Sequence, residues 1–577
     1  LDVSLDTETN GLETTECGIR LVQVSDGERT FLLFPWQDRH AAELTAFLKS
    51  RRSIVGHNTR TFDEVVLHYH GVDVRSLRID DSLLAYHSYA SHLRMGMDHV
   101  ASMYLDLAPW KLTHGKRGGA EEKGGAAVDA MTAEELWEYG AADARIEARM
   151  WPLMQPDLDT ERAVYDHDMK LSAICRDMQI SGIGFDEARA AELSAALADE
   201  GAQLTATMRS LVGRATFEPT KLDDVRWALF GHLGAPRINF TPTGQDATGQ
   251  LILEGLSARD DQVGEFARAL LRWRVCGKIR STYIDGIHVN AATGRVHYSW
   301  KPFGTVSGRL SCRLQSAARY DATDNAARVR ELYIPRPGNI FVYYDVSQAE
   351  MRLAAYLSAD PVFMAACKGD VHANNAKTCF RSIAERGWLD GDAKKDPKRG
   401  KRFRDLVKNV GFAISYLAET DKVFATIKSK PEGKDVSYRE VDNMLEALRR
   451  AYSVYFRWVE GNLADCRARG WMRSPFLGRI RHLGHWPKVT EVANYPIQSG
   501  LADVMNRRTI ELGFSPLPGV ELVAQVHDAC LYDCPEPMAN ELEGLICGKW
   551  LEPLQTPGGK MVLPIDLKRG ERWSELG

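Results

Sequence analysis

Apolar and polar positions change period several times along the chain, and each change marks an element. Near the N-terminus the runs VSLDTE and IRLVQVSDGERTFLLF read as short strands, and residues 40–49 follow a helical period. A short apolar helical run, DEVVLHYH, comes next, and AEELWEYGAADARIEARM closes this front segment as a strong helix. From Trp151 to Leu211 the pattern is amphipathic helix, interrupted at Ser181-Gly182-Ile183-Gly184. Further on, Phe341, Val342, Tyr343 and Tyr344 run into Asp345, and a helical pattern then carries Glu350 and Arg352. Near the C-terminus two apolar runs flank His527 and Asp528, as in a β-hairpin with an acid near its turn. These elements predict an α/β front segment followed by a larger body of mixed helices and strands.

Composition narrows the class. A chain of 577 residues has room for about three or four domain-sized units. Its hydrophobic content of 44% and charged content of 26% are those of an ordinary soluble protein. The opening LDVSLDTETN lacks the basic and apolar regions of a signal peptide. No stretch approaches the roughly 20 apolar residues of a membrane span, so no membrane association is expected. The ten cysteines are scattered without a C-x-x-C pair, which suits reduced thiols in a cytoplasm better than disulfides or zinc. The formal charge of −5 is unevenly spread. Residues 1–150 hold 16 Lys and Arg against 24 Asp and Glu, and the remainder holds 57 against 54, so an acidic front precedes a mildly basic body.

Several polar residues fall where these elements bring them together. Asp6 and Glu8, two apart on a strand, share one face and repel unless a cation lies between them. Tyr139 and Asp143, four apart on a helix, also share a face. A strand that ends in a carboxylate, as at Asp345, reads first as a helix N-cap and second as a ligand for a hard cation. Mg²⁺ takes such oxygens, usually one or two beside substrate phosphates. The segment alone leaves both readings open. Asp80 and Asp81 before SLLAYHSY read as helix caps, and His57, His87 and His92 have no ligand spacing with one another. The Gly-rich stretch Gly115–Ala127 and the basic insert DGDAKKDPKRGKR read as solvated loops. The most particular pattern is Arg404, Lys408, Phe412 and Tyr416. Steps of four advance about 40° beyond a full turn, so the four side chains drift slowly along one helix stripe. Two cations followed by two aromatics suit a triphosphate at one end and a base stack at the other.

The front segment resembles the 3′–5′ proofreading exonuclease domain carried by many DNA polymerases. The resemblance rests on D-x-E at Asp6 and Glu8, N-x3-F-D at Asn58 and Asp63, and Y-x3-D at Tyr139 and Asp143. It implies that Asp6, Glu8, Asp63 and Asp143 hold two divalent ions and that Tyr139 orients the attacking water. No member of the set is missing, so an active nuclease is expected.

The remainder resembles family A DNA polymerases, of the bacterial DNA polymerase I type. DMQISGIGFD is similar to the junction leading into the polymerase body, and FEPTKLDDVRWALFGHLGAP, TPTGQDAT and GKIRSTYIDGI are similar to the thumb segments. FGTVSGRLSC is similar to T-x-T-G-R-L-S, DVSQAEMR to D-Y-S-Q-I-E-L-R, NYPIQSGLAD to N-x-P-x-Q-G-x-A-D, and AQVHDA to Q-V-H-D-E. By this resemblance Asp345 and Asp528 bind the two catalytic ions, and Glu350 is the steric gate against a ribose 2′-OH. His372, Arg404 and Lys408 hold the triphosphate, Phe412 lies under base and sugar, and Tyr416 stands near the templating base. Arg309 lies along the minor groove, Asn494 and Gln498 touch template or minor groove, and His527 supports the primer terminus. Lys278 and its neighbours suit phosphate contacts. The chain departs from the pattern at Val346, Ala349, Leu417 and Ala529, the last removing a third carboxylate, and a shortened CRLQSAARY leaves the role of Gln315 open.

The resemblance implies an α/β and α+β multidomain fold, with a ribonuclease H-like exonuclease over 1–152, connecting helices and thumb over 153–300, and a right-hand palm and fingers over 301–345, 346–485 and 486–577. The expected activity is primer extension with dNTPs, using two Mg²⁺ ions per site or Mn²⁺ in their place. Its partners are primer–template DNA and single-stranded 3′ ends, the form is monomeric, and no processivity factor is assigned. A phage-type role in replication is the favoured expectation; a repair polymerase fragment, or an exonuclease with a DNA-binding body, are the alternatives.

Overall fold

The computed structural model describes residues 2–37, 39–107, 128, 130–237, 239–241, 243–379, 404, 406–408, 410, 419–428 and 436–576. The chain divides into two compact units. One comprises Leu1–Gly182, His297–Gln315 and Val342–Lys568, the other Ile183–Val296, Ser316–Phe341 and Arg569–Gly577.

The front of the first unit is a five-stranded sheet of β1 (Val3–Thr9), β2 (Ile19–Ser25), β3 (Thr30–Leu33), β4 (Ile54–Gly56) and β5 (Ile79–Asp81), in the order β3-β2-β1-β4-β5. β1 runs antiparallel to β2 and parallel to β4, so the sheet is mixed. β1 is buried on both faces except at Asp6, which is why its sequence is nearly continuous in apolar and small polar residues. The helices His40–Lys49 and Asp63–Tyr69 fall where the helical period predicts them. The helix Ala133–Thr160 starts in a capping box, with Thr132 accepting from Glu135 N–H and Glu135 accepting in return. It crosses β1 and β2 at Gly140, where a Cβ would lie 2.8 Å from Leu21 Cδ2 and 3.1 Å from the Gln23 amide. Only a glycine lets the helix come this close.

Behind it, the helix Arg162–Ser181 ends at Gly182, whose φ of +64° suits a residue without Cβ. Asp168 on this helix pairs with Arg479, at 2.7 and 2.8 Å through both guanidinium nitrogens, and both side chains are buried. The larger part of the unit is built on a second sheet: β12 (Glu521–Val526), β13 (Ala529–Pro535), β9 (Asn339–Val346) and the strand Ile565–Gly570, in that order. Packed with it are the helices Ala349–Ser358 and Val489–Leu512, and a small hairpin of β10 (Trp471–Arg473) and β11 (Ile480–His482).

The second unit joins β6 (Ile183–Phe185) between β7 (Arg295–Val296) and β8 (Tyr333–Ile334), with the long helices Glu187–Val212 and Gln262–Ile279. Its apolar core is formed by residues such as Met208, Phe217, Phe230, Leu253 and Phe266. No helix among the described residues is long and apolar enough to cross a membrane. None of the ten cysteines is in a disulfide.

Candidate active sites

The strand β1 presents Asp6 and Glu8, and the close crossing at Gly140 brings Asp143 over them. One ligand atom from each of the three carboxylates lies within 4.8 Å of the others. Gln23, opposite Asp6 in the β1–β2 register, donates its amide to Asp6 Oδ2 at 2.6 Å and to Glu8 Oε1 at 3.2 Å. Asp63, the first residue of its helix, is anchored to the residue between them. Its Oδ1 accepts from Thr7 N–H at 3.0 Å and from the Thr7 hydroxyl at 2.5 Å. Burial first, and the charge of Asp6 second, push the Asp63 carboxyl well above the usual carboxylate range. Burial and the fields of Asp143, Glu8 and Asp6 likewise raise the Tyr139 phenol, which therefore keeps its proton. Asp6, Glu8 and Asp143, three converging carboxylates, form a site that fits hard divalent cations, and Asp63, bonded to Thr7, is not among the three.

Sequence reasoning missed Glu147, one further turn along the face of Tyr139 and Asp143. It is buried, beside the Ser82 hydroxyl. Burial raises it to about 8; the Ser82 hydroxyl opposes this, and the charges of Asp81, Asp6 and Asp143 add to it. The continued i, i+4 spacing was the available signal. Asp81 is a helix cap, as expected, accepting from Leu83 and Leu84 N–H.

A second set of the residues singled out in the sequence lies around β9. Asp345 is near its end, and Val346 N–H donates to the backbone oxygen of Asp528 at 3.0 Å, so the β12–β13 turn lies alongside. Burial raises the Asp528 carboxyl and the charge of Glu350 adds to this, while Arg309 opposes it. Arg309 Nη2 donates to Glu350 Oε1 at 2.6 Å. Two residues beside these groups hold left-handed backbone without being glycine: Gln348 at φ +53° and His527 at +57°. Asn58, before Asp63, is a third at +65°. Each such residue costs on the order of 1–2 kcal/mol, which the surrounding structure must offset.

Gly308, next to Arg309, has a φ of +83°, and a Cβ there would lie 2.7 Å from Arg479 Nε. A buried polar chain runs from it. Asn506 donates to Gly308 O at 2.8 Å, Gln525 donates to Asn506 at 3.0 Å, and Thr509 donates to Gln525 at 2.8 Å. Gln315, whose role the sequence left open, donates to the backbone oxygen of Gln525 at 3.0 Å. Asn494 and Gln498 are half-buried positions one turn apart on an otherwise buried stretch of the helix Val489–Leu512.

Residues 404, 406–408 and 410 are helical, with Arg404 and Lys408 half-buried one turn apart and Leu406, Val407 and Val410 buried. Arg404 Nε donates to Asp370 Oδ2 at 2.7 Å. His372 is only 2% exposed. Phe412, Tyr416, Leu417, the stretch 115–127 and the insert 390–402 lie outside the described residues. Lys278 is exposed on the helix Gln262–Ile279, in the second unit.

The family model described as DNA polymerase family A matches residues 187–575. The chain belongs to that family. A second model, 3′-5′ exonuclease, matches residues 2–159, so Asp6, Glu8 and Asp143 lie inside one matched region and Asp345 and Asp528 inside the other. The thermostable DNA polymerase I of Thermus aquaticus is 26% identical over 464 residues, covering 76% of this chain and 51% of that protein. DNA polymerase I of Rhizobium leguminosarum is 25% identical over 545 residues, covering 89% and 50%. The chain thus spans about half the length of these curated relatives. A solved structure titled as the POL domain of Pol1 from M. smegmatis, in complex with DNA primer-template and dNTP, has the same fold. The TM-score is 0.76 at 19% identity, over 99% of this chain and 95% of that one.

Proposed function

We propose that this family A protein is a template-directed DNA polymerase with a 3′–5′ proofreading exonuclease, each activity served by its own carboxylate site. The reading rests on one observation: Asp345 lies beside the turn that carries Asp528 within the family A region, apart in sequence from the cluster of Asp6, Glu8 and Asp143. Its substrates are primer–template DNA and dNTPs at one site, and a single-stranded 3′ end at the other.

In synthesis the primer 3′ oxygen attacks the α-phosphorus of a dNTP, and the bond to pyrophosphate breaks. Arg404, Lys408 and His372 neutralise and orient the triphosphate, which turns the encounter into a positioned reaction. Glu350, fixed by Arg309, fills the space a ribose 2′-OH needs. Arg309, Asn494 and Gln498 track the duplex, reading acceptors nearly common to all base pairs in the minor groove. Phe412 and Tyr416 frame the nascent pair, and His527 steadies the primer end. In editing, Asp6, Glu8, Asp63 and Asp143 surround the terminal phosphodiester, and the protonated Tyr139 orients water toward it. Divalent ions, Mg²⁺ or Mn²⁺, would be held by Asp345 and Asp528 and by the four exonuclease carboxylates, supplying Lewis acidity and lowering the pKa of a bound oxygen nucleophile.

The ten cysteines, none in a disulfide, suit a reducing cytoplasm, and a complete editing set beside the synthetic one suits long replicative copying of the phage type by a monomer. One observation favours a second reading, a nuclease with a DNA-binding body: Ala529 leaves the synthetic site two carboxylates against four in the editing site. Primer extension with dNTPs and Mg²⁺ separates the two. Template-dependent elongation upholds the polymerase, and digestion without elongation supports the nuclease.

A further inference from the structure

The turn after the strand Asn339–Val346 and the helical residues around Arg404 are distant in sequence, yet one side chain joins them. Asp370 stands immediately before the helix Val371–Cys379. Its Oδ1 accepts from His372 N–H at 2.9 Å and from Ala373 N–H at 3.1 Å, capping that helix. The same oxygen accepts from Gln348 Nε2 at 3.3 Å, and Gln348 Oε1 in turn accepts from Val371 N–H at 2.9 Å. Gln348 lies between Asp345 and Glu350 and holds the left-handed backbone noted above. The remaining oxygen, Oδ2, accepts from Arg404 Nε at 2.7 Å. Arg352 braces the same loop by donating to the backbone oxygens of Cys367 and Gly369.

Asp370 is therefore held by three donors on one oxygen and offers the other to Arg404. A carboxylate so fixed cannot follow a mobile arginine; the arginine must come to it. We infer that Asp370 is a positioning residue for nucleotide binding, setting Arg404 at a fixed distance from His372 and from the Asp345–Glu350 turn so that the cations meet an incoming triphosphate as one unit. This inference rests on the polymerase reading above. Burial opposes ionisation of Asp370, but the Arg404 guanidinium and the helix N–H groups outweigh it and hold the carboxyl below the usual range. It is therefore an anion at neutral pH and pairs with Arg404 as one.

An asparagine at this position keeps an oxygen for the helix cap but turns an amide N–H toward Arg404 Nε, donor against donor. Steady-state primer extension with Asp370→Asn should show KM for dNTP raised about tenfold, as expected for losing one hydrogen bond between charged groups, with kcat little changed. The rise should vanish in an Arg404→Ala background, because the two substitutions remove the same interaction. Elongation by the unsubstituted chain tests the polymerase reading by itself. An unchanged KM for Asp370→Asn, or the same rise in both backgrounds, overturns the role of Asp370. A lowered KM overturns it as well, because Asp370 would then sequester Arg404 from the triphosphate. Digestion of single-stranded DNA by Asp370→Asn reports that the chain is folded. If it is not, Asp370→Ser, which retains a capping oxygen, carries the same comparison.

Discussion

At the scale of single residues, the buried carboxyl Glu147 makes a pH-dependent demand on the fold. Raised to about 8 in the folded chain against roughly 4.3 when unfolded, it retains a proton in the native state that the unfolded state has released. Its stabilising contribution is complete below about pH 4.3 and is lost as pH rises toward 8. Denaturation of the metal-free protein should therefore show Glu147→Gln gaining stability relative to the parent between pH 5.5 and 8.5; a difference independent of pH would contradict this. The pair of Asp168 and Arg479 acts in the opposite sense. Burial opposes ionisation of Asp168, but Arg479 outweighs it and depresses the carboxyl below its usual range. The stability it provides is present above about pH 4 and is lost only as acid approaches the depressed value. Asp168→Ala leaves a buried guanidinium unpaired and should cost about 3–5 kcal/mol in urea unfolding at pH 7. The carboxylates at 6, 8, 63, 143, 345 and 528 stand out in the sequence through motifs that resemble known families, and spacing alone pairs only Asp6 with Glu8. Asp168 and Arg479 do not, since their partnership spans 311 positions and neither sits in a periodic pattern.

At the scale of elements, the helix Ala133–Thr160 carries Tyr139, Asp143 and Glu147 on one stripe and meets β2 through Gly140. A methyl group there displaces Leu21 and Gln23, and Gln23 is the residue that bonds both Asp6 and Glu8. Gly140→Ala should lower single-strand digestion by roughly tenfold or more through misplaced carboxylates, with primer extension preserved; equal loss of both would show a general folding defect instead. The helix His40–Lys49 and the β12–β13 hairpin could be read from hydrophobic period alone. The sheet of β6, β7 and β8 could not: its strands have two or three residues, and β6 pairs Ile183 with Val296 and Phe185 with Tyr333. Strands that short show no alternation, and their pairing is set by tertiary packing.

At the scale of the whole molecule, each compact unit is assembled from three separate segments of chain. Consecutive sequence therefore does not map onto consecutive units, and motif order alone conveys chemistry better than it conveys architecture. Asp6, Glu8 and Asp143 nevertheless belong to a region matched by one family model, and Asp345 and Asp528 to a region matched by another. The most direct test of that arrangement assays one preparation for both activities, primer extension with dNTPs and digestion of a single strand, across Asp345→Ala, Asp528→Ala and the double variant Asp6→Ala with Glu8→Ala. The account predicts that either of the first two abolishes extension while digestion persists, and that the double variant does the reverse. Loss of both activities from a substitution in either set, with the protein still folded, would contradict it.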